Sequence, residues 1–70
     1  MAIGSLIRFV SRLCAEHGVS LYTLAGKYDW PEEAVADFLR GRTPPTARML
    51  REMARDLETS AGVLTQCLDE

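Results

Sequence analysis

The residues best suited to metal binding or nucleophilic chemistry are Cys14 and His17, which lie one helical turn apart. A thiolate and an imidazole at this spacing can bind zinc, and the only further cysteine is Cys67. Three ligands are one short of a structural zinc site, so we expect no metal and no cofactor. No acidic residue is placed to orient His17, and the sequence therefore predicts no nucleophile pair and no enzyme.

A second chemistry, the binding of phosphate, is indicated by the arginines of residues 40–55. This block holds five arginines against one glutamate, a local charge of +4. Guanidinium groups match the geometry of phosphate oxygens and make the contacts that position a protein on a nucleic acid. We assign Arg40, Arg42 and Arg48 to phosphate contact, and the alternative is a solvated basic face.

An acidic block precedes the arginines. Residues 28–39 hold four carboxylates and no cation, a local charge of −4. At the start of a helix, Glu32 and Glu33 stabilise the helix dipole, which is the favoured interpretation of both residues. The alternative is base contact, because a glutamate can accept a hydrogen bond from cytosine N4.

Length and composition set the frame in which these residues act. The chain has 70 residues, of which 47% are apolar and 26% charged, as expected for one small folded domain over residues 1–70. Its apolar runs are too short to cross a bilayer, and Arg8 and Arg12 interrupt the N-terminal apolar stretch, unlike a signal peptide. Two cysteines are too few for a disulfide framework. We expect a cytoplasmic protein without a membrane segment.

The elements that position these residues are predicted to be helices, because apolar residues recur at steps of three and four. The first three helices are expected over about 3–17, 20–28 and 31–41. Gly18 ends the first helix and Ser20 caps the second. Pro31 falls in the first turn of the third helix.

Two more helices follow the Thr43-Pro44-Pro45 segment, which cannot continue a helix. Thr46 caps a fourth helix, and a cap at Thr59 or Ser60 opens a fifth over about 60–69. No useful alternation of period two is present, so we predict an all-α domain of five short helices. The residues assigned to its core include Leu24, Trp30, Val35, Phe38, Met49 and Met53.

From Val19 to Leu57 the sequence resembles, without a gap, the phage-repressor-like helix-turn-helix family of the Cro/cI or xenobiotic-response-element type. The matching positions are Val19-Ser20, Leu24-Ala25, Asp29-Trp30, Val35, Phe38, Gly41-Arg42, Pro45-Thr46 and Met53-Ala54-Arg55-Asp56-Leu57. The resemblance implies a compact, lambda-repressor-like five-helix bundle. Its helix-turn-helix core would span about 20–41, with the third helix in the DNA major groove.

The resemblance also implies which residues meet DNA. With the arginines above, these residues are Ser20, Tyr22, Lys27, Glu32, Glu33, Ala36, Asp37, Arg40, Arg42 and Arg48. The family commonly has a polar glutamine where Leu21 stands, and basic or polar residues where the third helix here is acidic. We therefore expect a transcriptional regulator, of the repressor type, whose readout of bases is weak or atypical.

The sequence predicts a homodimer on double-stranded DNA, because one module this small contacts few phosphates and bases. The expected dimer interface comprises Phe9, Val63, Leu64, Cys67 and Leu68. Phe9 lies off the main apolar stripe of the first helix and is expected to be exposed. The alternative is a helix-turn-helix module that binds a protein, such as an RNA polymerase subunit, a toxin or another regulator, through the acidic third helix or the apolar tail.

Overall fold

A computed structural model describes residues 3–69, with the side chain of Asp69 left aside, and this part of the chain forms helices without a strand. The helices are α1 (Ile3–His17), α2 (Leu21–Tyr28), α3 (Glu32–Leu39), α4 (Ala47–Asp56) and α5 (Ala61–Asp69). The predicted all-α domain of five short helices is confirmed. Pro31 lies just before α3 with an extended backbone (ψ 134°), so its predicted place inside the first turn is wrong by one residue.

Side-chain caps begin three of the helices where the sequence predicts them. The Ser20 Oγ accepts a hydrogen bond from the Thr23 N–H at 3.2 Å, and the Thr46 Oγ1 accepts one from the Met49 N–H at 3.1 Å. Ser60 caps α5, because its Oγ accepts from the backbone of the residue three positions later. The choice between Thr59 and Ser60 is thereby settled in favour of Ser60.

A left-handed residue at Asp29 lets the chain turn sharply between α2 and α3. Asp29 has φ 58° and ψ 37°, a conformation that aspartate tolerates better than most residues. The Trp30 N–H then bonds to the Ala25 carbonyl oxygen at 2.9 Å, which closes the end of α2. Gly41 takes a similar conformation (φ 73°) after α3, where glycine carries no penalty from a Cβ atom.

The core is formed by one stripe from each helix. In α1 the stripe is Leu6, Val10 and Cys14, which faces both α3 and α5. The α4 helix packs against α5, and α2 packs against α3. The buried residues include every core residue predicted above, namely Leu24, Trp30, Val35, Phe38, Met49 and Met53.

The terminal helix α5 is docked on the rest of the domain, which changes the picture of the expected dimer interface. Leu64 is 0% exposed in the core between α1 and α4, so it has no surface to offer a second protomer. Phe9, Cys67 and Leu68 are partly buried against the same core. The side chain of Val63 is 40% exposed. The expectation for Leu64 is therefore corrected, and Phe9 is less exposed than its position off the stripe predicts.

None of the helices within residues 3–69 combines the length and the apolar character that are needed to cross a membrane.

Candidate nucleic-acid interface on the second and third helices

One side of the α3 helix packs against the core, and the opposite side faces the exterior. Val35 and Phe38 are fully buried and fix the helix against the core. Glu33, Ala36 and Arg40 follow one another at intervals of three and four residues, so they share the outward side. The α2–turn–α3 unit therefore presents the length of α3 to the exterior.

Acidic side chains occupy the start of this outward side. Glu32 and Glu33 are exposed in the first turn of α3, where Pro31 provides no side-chain cap. Their carboxylates lie near the positive end of the helix dipole. Asp37 is half-buried, and its carbonyl oxygen accepts the Arg42 N–H at 2.9 Å. The Asp37 backbone thus helps to shape the loop that follows α3.

Basic side chains lie at the C-terminal end of α3. Arg40 and Arg42 flank Gly41 just after α3, and both are exposed. Among residues 3–69 neither guanidinium group has a hydrogen-bond or ion-pair partner within the chain. Backbone bonds to the carbonyl oxygens of Ala36 and Asp37 hold the loop in place. The two guanidinium groups are therefore available to an external anion.

Arg48, the third arginine assigned to phosphate, makes contacts within the chain although its side chain is 64% exposed. Its Nη2 donates to the Tyr28 carbonyl oxygen at 3.1 Å, and its Nε lies 3.3 Å from the Glu52 Oε1. The first contact satisfies a carbonyl group at the end of α2 and places a cation where the helix dipole is negative. Arg48 thus joins α2 to α4, a role that differs from the predicted phosphate contact.

Lys27 is likewise paired. Its Nζ lies 2.8 Å from the Asp56 Oδ2, and the Tyr28 hydroxyl donates to the other oxygen of the same carboxylate. Hydrogen bonds from Lys27 and Tyr28 hold the pKa of Asp56 below its usual range. The hydrogen bond to Asp56 raises the pKa of Lys27. The Lys27 ammonium group, which is expected to reach phosphate, is therefore charged but already paired with the Asp56 carboxylate.

These contacts belong to one structure, which we call the polar seam: Arg48, Glu52 and Asp56 at four-residue intervals on α4. The Trp30 Nε1 donates to the Glu52 Oε1 at 2.7 Å, and the Tyr28 and Trp30 rings stack with centroids 5.9 Å apart. The polar seam contacts the segment 27–30, which comprises the end of α2 and the start of the turn that follows it. The four-residue spacing of Arg48, Glu52 and Asp56 is visible in the sequence. The residues that these three side chains contact cannot be identified from the sequence.

The remaining predicted contacts lie at the start of α2. The Ser20 Oγ is occupied as the α2 cap and also lies 3.1 Å from the Thr23 Oγ1. Tyr22 is 49% exposed beside it. Both residues are on the same α2–turn–α3 unit as the exposed side of α3, but only Tyr22 offers substantial free side-chain surface.

The residues considered for metal or nucleophilic chemistry do not assemble into a site. Cys14 is buried in the α1 stripe, and desolvation raises the pKa of its thiol, which favours the neutral form. His17 is exposed at the end of α1. Among the described residues, no group of three potential ligands lies close enough to hold a metal ion.

No model of a protein family, no curated protein and no solved structure matches this chain. The geometry of α2, α3 and the polar seam is therefore the basis for a functional proposal.

Proposed function

We propose that the protein is a small DNA-binding transcriptional regulator whose α3 helix enters the major groove of double-stranded DNA. The observation that carries the proposal is the pair of unengaged guanidinium groups, Arg40 and Arg42, at the end of an α3 helix with an uncovered outer side. The tight left-handed turn at Asp29 supports it, because such a turn sets a second helix across the first.

In this proposal the functional residues differ in their contributions. Arg40 and Arg42 bind phosphates, whereas Lys27 and Arg48 contribute less because their charges are shared with Asp56 and Glu52. The exposed start of α3 is acidic and approaches phosphates only against repulsion. Sequence readout is therefore confined to few base contacts.

Binding as a dimer is part of this proposal, because one domain of this size contacts few phosphates and bases. In a dimer the two copies would occupy half-sites one helical turn apart, about 34–36 Å. We place the dimer contact on α5 around Val63, because Val63 is 40% exposed whereas Phe9, Cys67 and Leu68 are partly buried against the core.

The test is a fluorescence anisotropy titration of labelled random-sequence duplex DNA. Replacing Arg40 and Arg42 by Ala removes two phosphate contacts per protomer, so the salt dependence of binding becomes shallower by about 1.8 in log–log slope per protomer. The matched control is Arg51→Ala with Arg55→Ala, which removes the same charge from the outer side of α4. If both double variants bind DNA equally, the assignment of Arg40 and Arg42 is wrong.

A second candidate function, docking on a protein through α3, is favoured by one specific observation. Glu32 and Glu33 are exposed at the start of α3, and the nearby Lys27 is neutralised by Asp56. This end of the helix is therefore suited to a basic partner surface. An unchanged DNA affinity in the Arg40→Ala and Arg42→Ala double variant would favour this function.

A further inference from the structure

Exposed apolar surface gathers at one groove between α1, α2 and the end of α3. Three large apolar side chains are exposed among residues 3–69: Tyr22, Leu39 and Val63. Tyr22 and Leu39, which are 49% and 38% exposed, both line this groove of about 380 Å³. Exposed large apolar side chains that converge on one concavity are typical of a binding surface, whereas isolated ones are not.

The walls of this groove are almost entirely apolar. Cys14, Val19 and Leu21 form its inner side, and no charged side chain is part of the lining. Burial raises the pKa of the Cys14 thiol, so this wall stays uncharged. The groove is open to the exterior at Tyr22 and Leu39. It therefore suits an inserted apolar side chain.

A second groove of about 340 Å³ adjoins the first and shares Tyr22 with it. Its lining includes Asp29 and Glu32, which carry carboxylates. The nearest basic side chain in the sequence, Lys27, is paired with Asp56 and does not compensate them. Tyr22 thus lines both a neutral apolar groove and a groove that contains two carboxylates.

We propose that the joined grooves bind a short segment of a partner protein that carries an apolar side chain close to a lysine or arginine. The apolar side chain would fill the slot beside Leu39. The cation would lie over the Tyr22 ring, within reach of Asp29 and Glu32. This inference rests on the second candidate function, the docking of a basic partner at the start of α3, and does not depend on DNA binding.

Other classes of ligand fit this surface less well. A phosphate backbone would meet the carboxylates of Asp29 and Glu32 and would gain little from an apolar slot. A small molecule confined to the slot would itself stay exposed on one side, because the groove is open rather than enclosed. A peptide that is both basic and apolar can place an apolar side chain in the apolar groove and a cation near Asp29 and Glu32.

The proposal can be tested with a labelled synthetic peptide of leucine and lysine and a matched peptide with glutamate in place of lysine. Binding of each peptide to the full chain is measured by fluorescence anisotropy, and the binding site is located by amide NMR shifts. We expect the basic peptide to shift residues around Tyr22 and Leu39 and the acidic peptide not to bind. Leu39→Gln should weaken binding of the basic peptide about tenfold or more, whereas Leu39→Met should stay within about twofold.

A charge variant separates this proposal from DNA binding. Glu32→Gln should weaken binding of the basic peptide but tighten binding of random duplex DNA. The two affinities would therefore change in opposite directions. Equal binding of the two peptides, or a basic peptide indifferent to Leu39→Gln in a variant with a native NMR spectrum, would overturn the proposal. So would a Leu39→Gln variant that changes only self-association in sedimentation, or only DNA affinity, because the groove would then belong to a dimer or to the DNA interface.

Discussion

At the scale of single residues, two carboxylates of α4 fix the α2–α3 turn. Asp56 accepts hydrogen bonds from Lys27 and Tyr28, and Glu52 accepts one from Trp30 while pairing with Arg48. Each carboxylate therefore serves two donors, which limits how the turn can move relative to α4. The same contacts pair the charges of Lys27 and Arg48, two cations of the proposed DNA surface, with carboxylates.

Replacing Asp56 by Asn should destabilise the fold in a pH-dependent manner. The pKa of Asp56 is lowered by hydrogen bonds from Lys27 and Tyr28, so its carboxylate stabilises the native state above the pKa of the unfolded chain. That stabilisation disappears as the pH falls through the lower native pKa. In urea unfolding, the wild-type protein should be more stable than the variant at neutral pH, and the two should converge in acid.

Asp29→Asn is the matched control for this experiment. Asp29 is exposed, has no ion pair among the described residues, and has a left-handed conformation that asparagine also adopts. We expect it to show little difference from the wild-type protein at any pH. A stability gap for Asp56→Asn that stays constant from neutral pH into acid would contradict the role given to the carboxylate.

At the scale of elements, α3 carries opposite charges at its two ends. Glu32 and Glu33 begin the helix, and Arg40 and Arg42 follow its last residue. This arrangement orients the approach of a polyanion, because only the carboxyl end of α3 attracts phosphate. In the proposed function, the acidic end of α3 limits non-specific binding to DNA.

Changing Glu32 and Glu33 to Gln should tighten binding to random duplex DNA by about 1 kcal/mol or more, because two charges are removed near the phosphates. The variant should also lose a few tenths to about 1 kcal/mol of stability per residue through weaker compensation of the helix dipole. Anisotropy and thermal unfolding measure the two effects. Glu58→Gln, between α4 and α5, is the control, and an equal gain per charge there would rule out a specific effect of α3.

For α5, the structure predicts opposite behaviour of two neighbouring residues. Leu64→Ala should destabilise the domain by about 2–5 kcal/mol, because it leaves a cavity at a fully buried position. Val63→Ser should change stability little but shift a dimer towards monomer in sedimentation, because Val63 is on the exposed side. A dimer that survives Val63→Ser would place the interface elsewhere.

The elements themselves were predictable from the sequence because their signals are local. Ser20 and Thr46 cap helices within three residues of themselves, and Asp29 takes the left-handed turn that its type allows. The Lys27–Asp56 and Trp30–Glu52 contacts were not predicted, since they join residues 29 and 22 positions apart. Such pairs depend on how α4 packs, which the apolar pattern of one helix does not reveal.

The position of α5 shows the same limit. The sequence predicts that its apolar residues Val63, Leu64, Cys67 and Leu68 form a dimer contact. In the structure Leu64 is instead fully buried in the core, where α5 packs against α1 and α4. A sequence pattern identifies an apolar side of a helix, but it does not say whether that side covers its own chain or another copy.

At the scale of the whole molecule, the distribution of charge and the fold together indicate where the proposed DNA contact lies. The chain has a net charge of −2, with opposite charges concentrated in residues 28–39 and 40–55. The polar seam neutralises Lys27 and Arg48, which leaves Arg40 and Arg42 as the cations nearest the exposed side of α3. The proposed function therefore depends on few phosphate contacts per protomer and on dimerisation to double them.

The most direct test of this account is the affinity of the wild-type protein for random duplex DNA at about 50 mM and about 200 mM salt. Two protomers that each use Arg40 and Arg42 neutralise about four phosphates, so we expect saturable binding at low salt and a loss of roughly a hundredfold at the higher concentration. Absence of saturable binding at low salt, or an affinity that does not change with salt, would contradict DNA binding through these arginines.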